Sequence, residues 1–159
     1  MIDQLFPYRI DNTYRGHRLA LWLFALLLFM RVAMSVNSIF NASDVASSAD
    51  GIPLHTYTPA AARTIVSLFA LLGLSHLMIS VVGILALVRY RSMVPFMFAL
   101  FLLEQLSRRL ILRFSPIIRT GTPPGFYVNL VLLAVMLLGL ALSLRSQGNR
   151  EVQVGERRP

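Results

Sequence analysis

Three ionisable side chains within long apolar segments are the residues of this chain best suited to chemistry. Arg31, His76 and Glu104 each interrupt an apolar run, and each lies 13 residues from an arginine at the cytoplasmic boundary assigned below. In an α-helix this separation corresponds to a depth of about 19 Å. A guanidinium, an imidazole and a carboxylate at one depth can satisfy one another's charges. The spacing therefore predicts that the three side chains meet.

This polar layer has two interpretations, one structural and one functional. In the first, the three side chains form a buried ionic network that fixes how the helices pair. In the second, they mark a path for protons or a solute. Glu104 would then titrate, His76 would relay protons, and Arg31 would stabilise the carboxylate or hold an anion. Both interpretations predict the same geometry.

Helical periodicity adds polar neighbours to the layer. Gln105 and Arg108 lie on the same helical face as Glu104, and Glu104 can pair with Arg108 four residues later. This helix is therefore predicted to be amphipathic within the membrane, with its leucine-rich side toward lipid. Arg31 and His76 share their inward-facing stripes with small residues, namely Ser35, Ser38, Gly73, Ser80 and Gly83.

The composition indicates which kind of chain must position these residues. Of 159 residues, 56% are hydrophobic and 14% are charged, against roughly 25% charged residues in typical soluble proteins. All 15 basic residues are arginine and the net charge is +8, but most of the arginines flank apolar runs. That placement favours a lipid bilayer as the partner and argues against nucleic acid. The absence of cysteine excludes disulfides and thiol chemistry.

Apolar runs and helix-breaking residues delimit four segments, each long enough to cross the roughly 30 Å hydrocarbon layer. The segments are 19–40, 60–88, 93–114 and 126–144. The third is the weakest span by hydropathy, because its second half carries Glu104, Gln105 and three arginines. The sequence thus predicts an all-α integral membrane protein that forms a bundle of four transmembrane helices.

The remaining segments are expected to lie outside the bilayer. We predict that residues 1–18 form a cytoplasmic or interfacial N-terminal segment. The segment 41–58 is predicted to be a polar loop with a turn at Asp50-Gly51. The segment 145–159 lacks periodicity and is predicted to be a disordered cytoplasmic tail. Nine arginines flank the segments on the side of both termini, and two lie on the other side. This asymmetry predicts that both termini are cytoplasmic, as in a bacterial inner (plasma) membrane.

No motif for catalysis, nucleotide binding or metal binding is present in the sequence. His17 and His55 lack ligand partners at suitable spacing, so neither a metal nor another cofactor is expected, and no catalytic residue is assigned. We expect a non-enzymatic accessory or transport-related component that forms a homo-oligomer or joins a larger membrane complex. The alternative is a membrane-embedded enzyme that acts on a lipid or quinone headgroup, with His76 and Glu104 as acid and base.

Overall fold

The computed structural model describes residues 11–12, 14, 16–119 and 121–145. Within these residues the chain is helical and contains no β-strand. Its four long helices are α1 (Arg18–Phe40), α2 (Pro59–Arg89), α3 (Val94–Phe114) and α4 (Pro124–Leu144). Their bounds differ by at most two residues from the segments delimited in the sequence. Of the predicted tail, only Arg145 is among the described residues, and most of the N-terminal segment 1–18 also lies outside them.

Three of the four long helices in the described chain are long and apolar enough to cross a membrane, namely α1, α2 and α4. Helix α3 is different, because Glu104 and three arginines lie in its second half. Length and composition therefore support membrane insertion through three helices. The crossing of α3, and with it the four-helix membrane bundle, stays a prediction.

Two of the long helices, α1 and α2, begin where a side chain caps one of their free N–H groups. Before α1, the ring Nδ1 of His17 accepts a hydrogen bond from the backbone N–H of Leu19. Before α2, the Thr58 hydroxyl accepts one from the N–H of Ala61, and Pro59 occupies the first turn, where its missing N–H costs little. Thr58 is thus the N-cap of α2.

The core is built mainly by α1, α3 and α4. Helix α1 packs most extensively against α2, while α4 packs against both α1 and α3. The Phe24 ring meets the Phe98 ring edge to face, with centroids 4.9 Å apart, and Met136 of α4 completes the cluster. Along α1, residues three or four positions apart are buried, which places Arg31 on the same face, two turns beyond Phe24.

The small residues predicted to face inward on α2 are buried, which confirms that expectation for Gly73, Ser80 and Gly83. Gly73 lies against α1, and a Cβ at this position would lie 2.8 Å from the Cβ of Ser38. Only glycine therefore allows the two backbones to approach this closely. The close approach brings His76, one turn later, toward α1.

The connection between α1 and α2 differs from the expected loop 41–58. It contains three short helical pieces, Ala42–Asp44, Val45–Ala49 and Leu54–Thr56. Its alanines are small enough to pack against α2 and α4, and Ala46 is fully buried. The predicted turn is present, since Gly51 has a φ of 70°. As a result, Asp50 lies over the helices and not in open solvent.

Two hydrogen bonds show which ends of the helices lie together. The N–H of His17 donates to the carbonyl of Leu142, and the N–H of Ser92 donates to the carbonyl of Asp11. The described part of the N-terminus, the α2–α3 connection and the end of α4 are therefore at one end of the molecule. The other two connections lie at the opposite end.

Candidate functional site

The centre of the site is the carboxylate of Glu104, which contacts side chains from two other helices. Its Oε2 accepts a hydrogen bond from Nη2 of Arg31 at 2.7 Å, and its Oε1 lies 2.8 Å from Nε2 of His76. Because a carboxylate can only accept, Nε2 of His76 carries the hydrogen of the second bond. One carboxylate thus joins α1, α2 and α3. These three residues are called the Glu104 cluster below.

Arg31 is the most buried member of the Glu104 cluster. Its guanidinium carbon lies 4.3 Å from the centroid of the Phe101 ring, and its side chain is only 9% exposed. This geometry adds a cation–π contact to the ion pair. Its Nε is buried and has no hydrogen-bond partner among the described residues. Since an arginine keeps its proton, Arg31 supplies a fixed positive charge to the cluster.

Two serines on the same helical stripes, Ser35 and Ser80, form hydrogen bonds within their own helices. The Ser35 hydroxyl donates to the carbonyl of Arg31, and the Ser80 hydroxyl donates to the carbonyl of His76, each at 2.7 Å. Bonds to the carbonyl four residues earlier leave these hydroxyls no need of a partner elsewhere. They line the approach between helices without taking part in the charged contacts.

Gln105 and Arg108 contact other residues. Nε2 of Gln105 lies 3.3 Å from both the backbone oxygen and Oδ1 of Asn129 on α4. Nη2 of Arg108 lies 3.6 Å from Oδ2 of Asp50. The spacing of four residues allows Arg108 to pair with Glu104, but in the structure Arg108 lies beside Asp50. Arg108 is one turn closer to the α1–α2 connection, where Asp50 provides a nearer carboxylate.

A cavity of about 110 Å³ adjoins the Glu104 cluster. All three cluster residues and the pair Arg108 and Asp50 contribute to its wall. The side chains of Glu104 and His76 are 24% and 28% exposed, so both keep polar surface accessible. A water molecule occupies about 30 Å³ in the liquid, so the cavity has room for a few waters. Small-molecule sites are larger, at roughly 300–1,000 Å³.

Three residues that shape this site were not identified from the sequence. Asp50 reads as a turn residue, and Phe101 is one apolar residue among many, so neither carries a signal of its role. Asn129 did carry a signal, because it is one of only two polar residues within the apolar run 126–144. An amide there needs a hydrogen-bond partner, and Gln105 provides it.

The fold and the site together define a class of protein, a helical protein with three helices suited to a membrane and a charged cluster between its helices. Comparisons of the chain with known protein families, with curated proteins and with solved structures find no match in any of the three.

Proposed function

We propose that this chain is a non-enzymatic, multi-pass membrane protein, a transport-related component in which the Glu104 cluster binds and releases a proton. The observation that carries the proposal is a carboxylate held between a fixed cation and an imidazole on the wall of a cavity of about 110 Å³. Glu104 and His76 share a hydrogen bond, and both groups can change protonation state. A proton can therefore pass between them and water in the cavity.

The size of the cavity supports protons over a larger substrate. An enzyme acting on a lipid or quinone headgroup through His76 and Glu104 needs a cleft that admits the headgroup to their depth. The cavity of about 110 Å³ beside them is several times smaller than typical small-molecule sites, which span roughly 300–1,000 Å³. This comparison favours the transport-related function over the enzymatic alternative.

The proposal includes a membrane crossing by α3. Its inward face carries Glu104, Gln105 and Arg108, and each of these has a polar partner from another part of the chain. Its opposite face exposes leucines, including Leu103 and Leu110, which suits contact with lipid. Pairing of this kind lowers the cost of placing polar side chains in a bilayer.

The proposal places both termini in the cytoplasm, with the chain in a bacterial inner membrane. The nine arginines near the termini and the α2–α3 connection outnumber those near the other two connections. Arg63, near the start of α2, lies on the opposite side and raises the number of arginines there from two to three. Nine arginines against three still favour the side of the termini as the cytoplasmic one. Reporter fusions after Asp50 or Thr120 should then report the outer compartment, and one after Arg150 the cytoplasm. The reverse pattern would contradict the topology.

Assembly is also part of the proposal. Four helices leave little space for a solute pathway within one copy, so we propose a homo-oligomer or a larger membrane complex in the bilayer, without a nucleic-acid partner. Light scattering of the purified protein in detergent, corrected for bound detergent, measures the protein mass of the particle. A mass corresponding to one chain under several detergents, with no copurifying protein, would argue against assembly.

The proton function is tested in vesicles that contain the purified protein. A potassium gradient with valinomycin sets the membrane potential, and an enclosed pH-sensitive dye reports proton entry. We expect faster acidification than in protein-free vesicles, and loss of this excess in Glu104→Gln, which keeps the shape of the side chain but cannot bind and release the proton. Ser75→Ala is the matched control, because Ser75 is exposed on α2 and bonds only to its own helix.

Two results would refute the proton function. One is acidification by the wild-type protein no faster than in protein-free vesicles. The other is equal acidification by the wild type and Glu104→Gln, with both variants shown by circular dichroism to be folded. Either result would leave the Glu104 cluster as a structural link among α1, α2 and α3.

A further inference from the structure

A second polar pocket, of about 350 Å³, lies where α3 ends and α4 begins. Four arginines contribute to its wall, together with one carboxylate and one aromatic ring. These residues are Arg108, Arg109, Arg113, Arg119, Asp50 and Phe126, and they are called the arginine pocket below. The pocket does not include Glu104 or His76.

The charge of the arginine pocket is unbalanced. Four guanidinium groups face a single carboxylate, which leaves a formal excess of three positive charges. Arg108 approaches Asp50 only to 3.6 Å, and the other three arginines form no ion pair with another described residue. Nε of Arg119 is buried and lacks a hydrogen-bond partner among the described residues. Such a group of like charges repels itself unless an anion joins it.

Structural roles explain only part of this group. Arg113 lies in the last turn of α3, where a cation interacts favourably with the helix dipole. Arg119 lies in the connection that follows, so this argument does not extend to it. In the proposed topology Arg113 and Arg119 lie at the outer end of the bundle, where the positive-inside rule disfavours arginine. The concentration of arginines there therefore calls for a different explanation.

We propose that the arginine pocket binds a phosphate group, either that of an anionic phospholipid headgroup or free phosphate. The guanidinium fork matches two phosphate oxygens, and several arginines can engage one phosphate together. The volume of about 350 Å³ falls within the range of small-molecule sites, roughly 300–1,000 Å³. The pocket thus has both the charge and the space for this ligand.

The surroundings of the pocket supply a place for acyl chains. Phe114 and Ile118, each next in sequence to an arginine of the pocket, are 81% and 74% exposed. Phe126, within the pocket wall, is also half exposed. Apolar side chains beside a cluster of guanidinium groups match a lipid, whose charged headgroup and hydrocarbon chains are adjacent. A phospholipid would use both surfaces, whereas free phosphate would use only the arginines.

The experiment compares a charge-depleted pocket with a variant that loses the same charge elsewhere. Arg113→Gln with Arg119→Gln removes two charges from the pocket, and Arg63→Gln with Arg89→Gln removes two from exposed positions on α2. Native mass spectrometry in detergent measures binding of phosphatidylglycerol and of zwitterionic phosphatidylcholine. Thermal unfolding with sodium phosphate or sodium chloride, at matched ionic strength, measures binding of free phosphate.

We expect phosphatidylglycerol to bind more tightly than phosphatidylcholine, whose choline group carries an opposing positive charge. Loss of each arginine should weaken binding about tenfold, and loss of both about 100-fold, since each makes charge-assisted hydrogen bonds. The α2 control should bind like the wild type. Stabilisation by free phosphate as well would show that the phosphate group suffices, and binding of phosphatidylglycerol alone would identify the lipid as the source.

Three results would overturn the proposal. They are equal binding of the two lipids, equal loss of binding in the two double variants, and no binding of either lipid or phosphate by folded wild-type protein. Proton flux through the vesicles described above is a separate readout that depends on Glu104. The two proposals can therefore be refuted independently, the phosphate site by the binding measurements and the proton function by the flux measurements.

Discussion

The ion pair between Arg31 and Glu104 can be measured as a coupling free energy. Replacing Glu104 by leucine leaves a guanidinium whose side chain is 9% exposed without its carboxylate. Removing one partner of a buried pair costs about 3–5 kcal/mol in a protein interior. Glu104 keeps 24% of its side-chain surface exposed, and an arginine in a bilayer can reach water, so we expect a loss of about 2–4 kcal/mol.

Replacing both residues by leucine should recover much of that loss, because no unpaired charge then remains. The difference between the double variant and the sum of the single variants gives the coupling free energy. We expect about 1–3 kcal/mol, since the two side chains are in direct contact at 2.7 Å. Glu104→Gln should be intermediate in stability, because the amide keeps the shape and can still accept a hydrogen bond from Arg31.

Unfolding by sodium dodecyl sulfate in mixed micelles, followed by circular dichroism, provides the free energies of the wild type, the two single variants and the double variant. Arg31→Leu combined with Arg63→Gln serves as the control cycle, because Arg63 is exposed near the start of α2. That cycle should be additive within about 0.5 kcal/mol. If the loss of unfolding free energy in the double variant Arg31→Leu with Glu104→Leu also equals the sum of the two single losses, the two residues do not interact. The inferred ion pair in the Glu104 cluster is then wrong.

Three further predictions concern packing, hydrogen bonding and pH. Gly139→Ala should destabilise the protein by about 1–3 kcal/mol in the same unfolding assay, because the added Cβ would collide with the Phe98 ring. Gln105→Leu should cost about 0.5–1.5 kcal/mol there, since the side chain of Asn129 loses its partner. Burial raises the pKa of the Tyr14 phenol to about 12, against about 10 when unfolded. The stability that the neutral phenol contributes is thus fully present below pH about 10 and is lost as the pH rises through about 12. In an alkaline titration followed by tyrosinate absorbance, the wild type should show an ionisation near pH about 12 that is absent in Tyr14→Phe.

The residues of the Glu104 cluster could be selected from the sequence because a charge within an apolar run is costly. Arg31, His76 and Glu104 must each find a partner near their own depth, and the boundary arginines measure that depth. The helix limits could be predicted for the same kind of reason, since capping residues and prolines interrupt the apolar runs. Both inferences depend only on local sequence and on the helix rise.

The parts that could not be predicted depend on how connections fold over the helices. The short helical pieces before Asp50 have no apolar periodicity, so its position beside Arg108 follows only from packing. Arg119 lies in a connection rich in proline and glycine, and its approach to the arginines of α3 has no counterpart in sequence spacing. Phe101 is one of many apolar residues, and only the structure places its ring beside Arg31.

The weakness of α3 as a membrane span and the presence of the site have the same physical origin. The polar residues that lower its hydropathy include Glu104, Gln105 and Arg108, and each meets a partner supplied from outside α3. In isolation these groups would make insertion unfavourable, whereas in the folded chain their charges and hydrogen bonds are matched. In the proposed membrane crossing, the stability of α3 therefore depends on α1, α2, α4 and the α1–α2 connection, and the same interactions hold the proposed proton-binding carboxylate of Glu104 against α1 and α2.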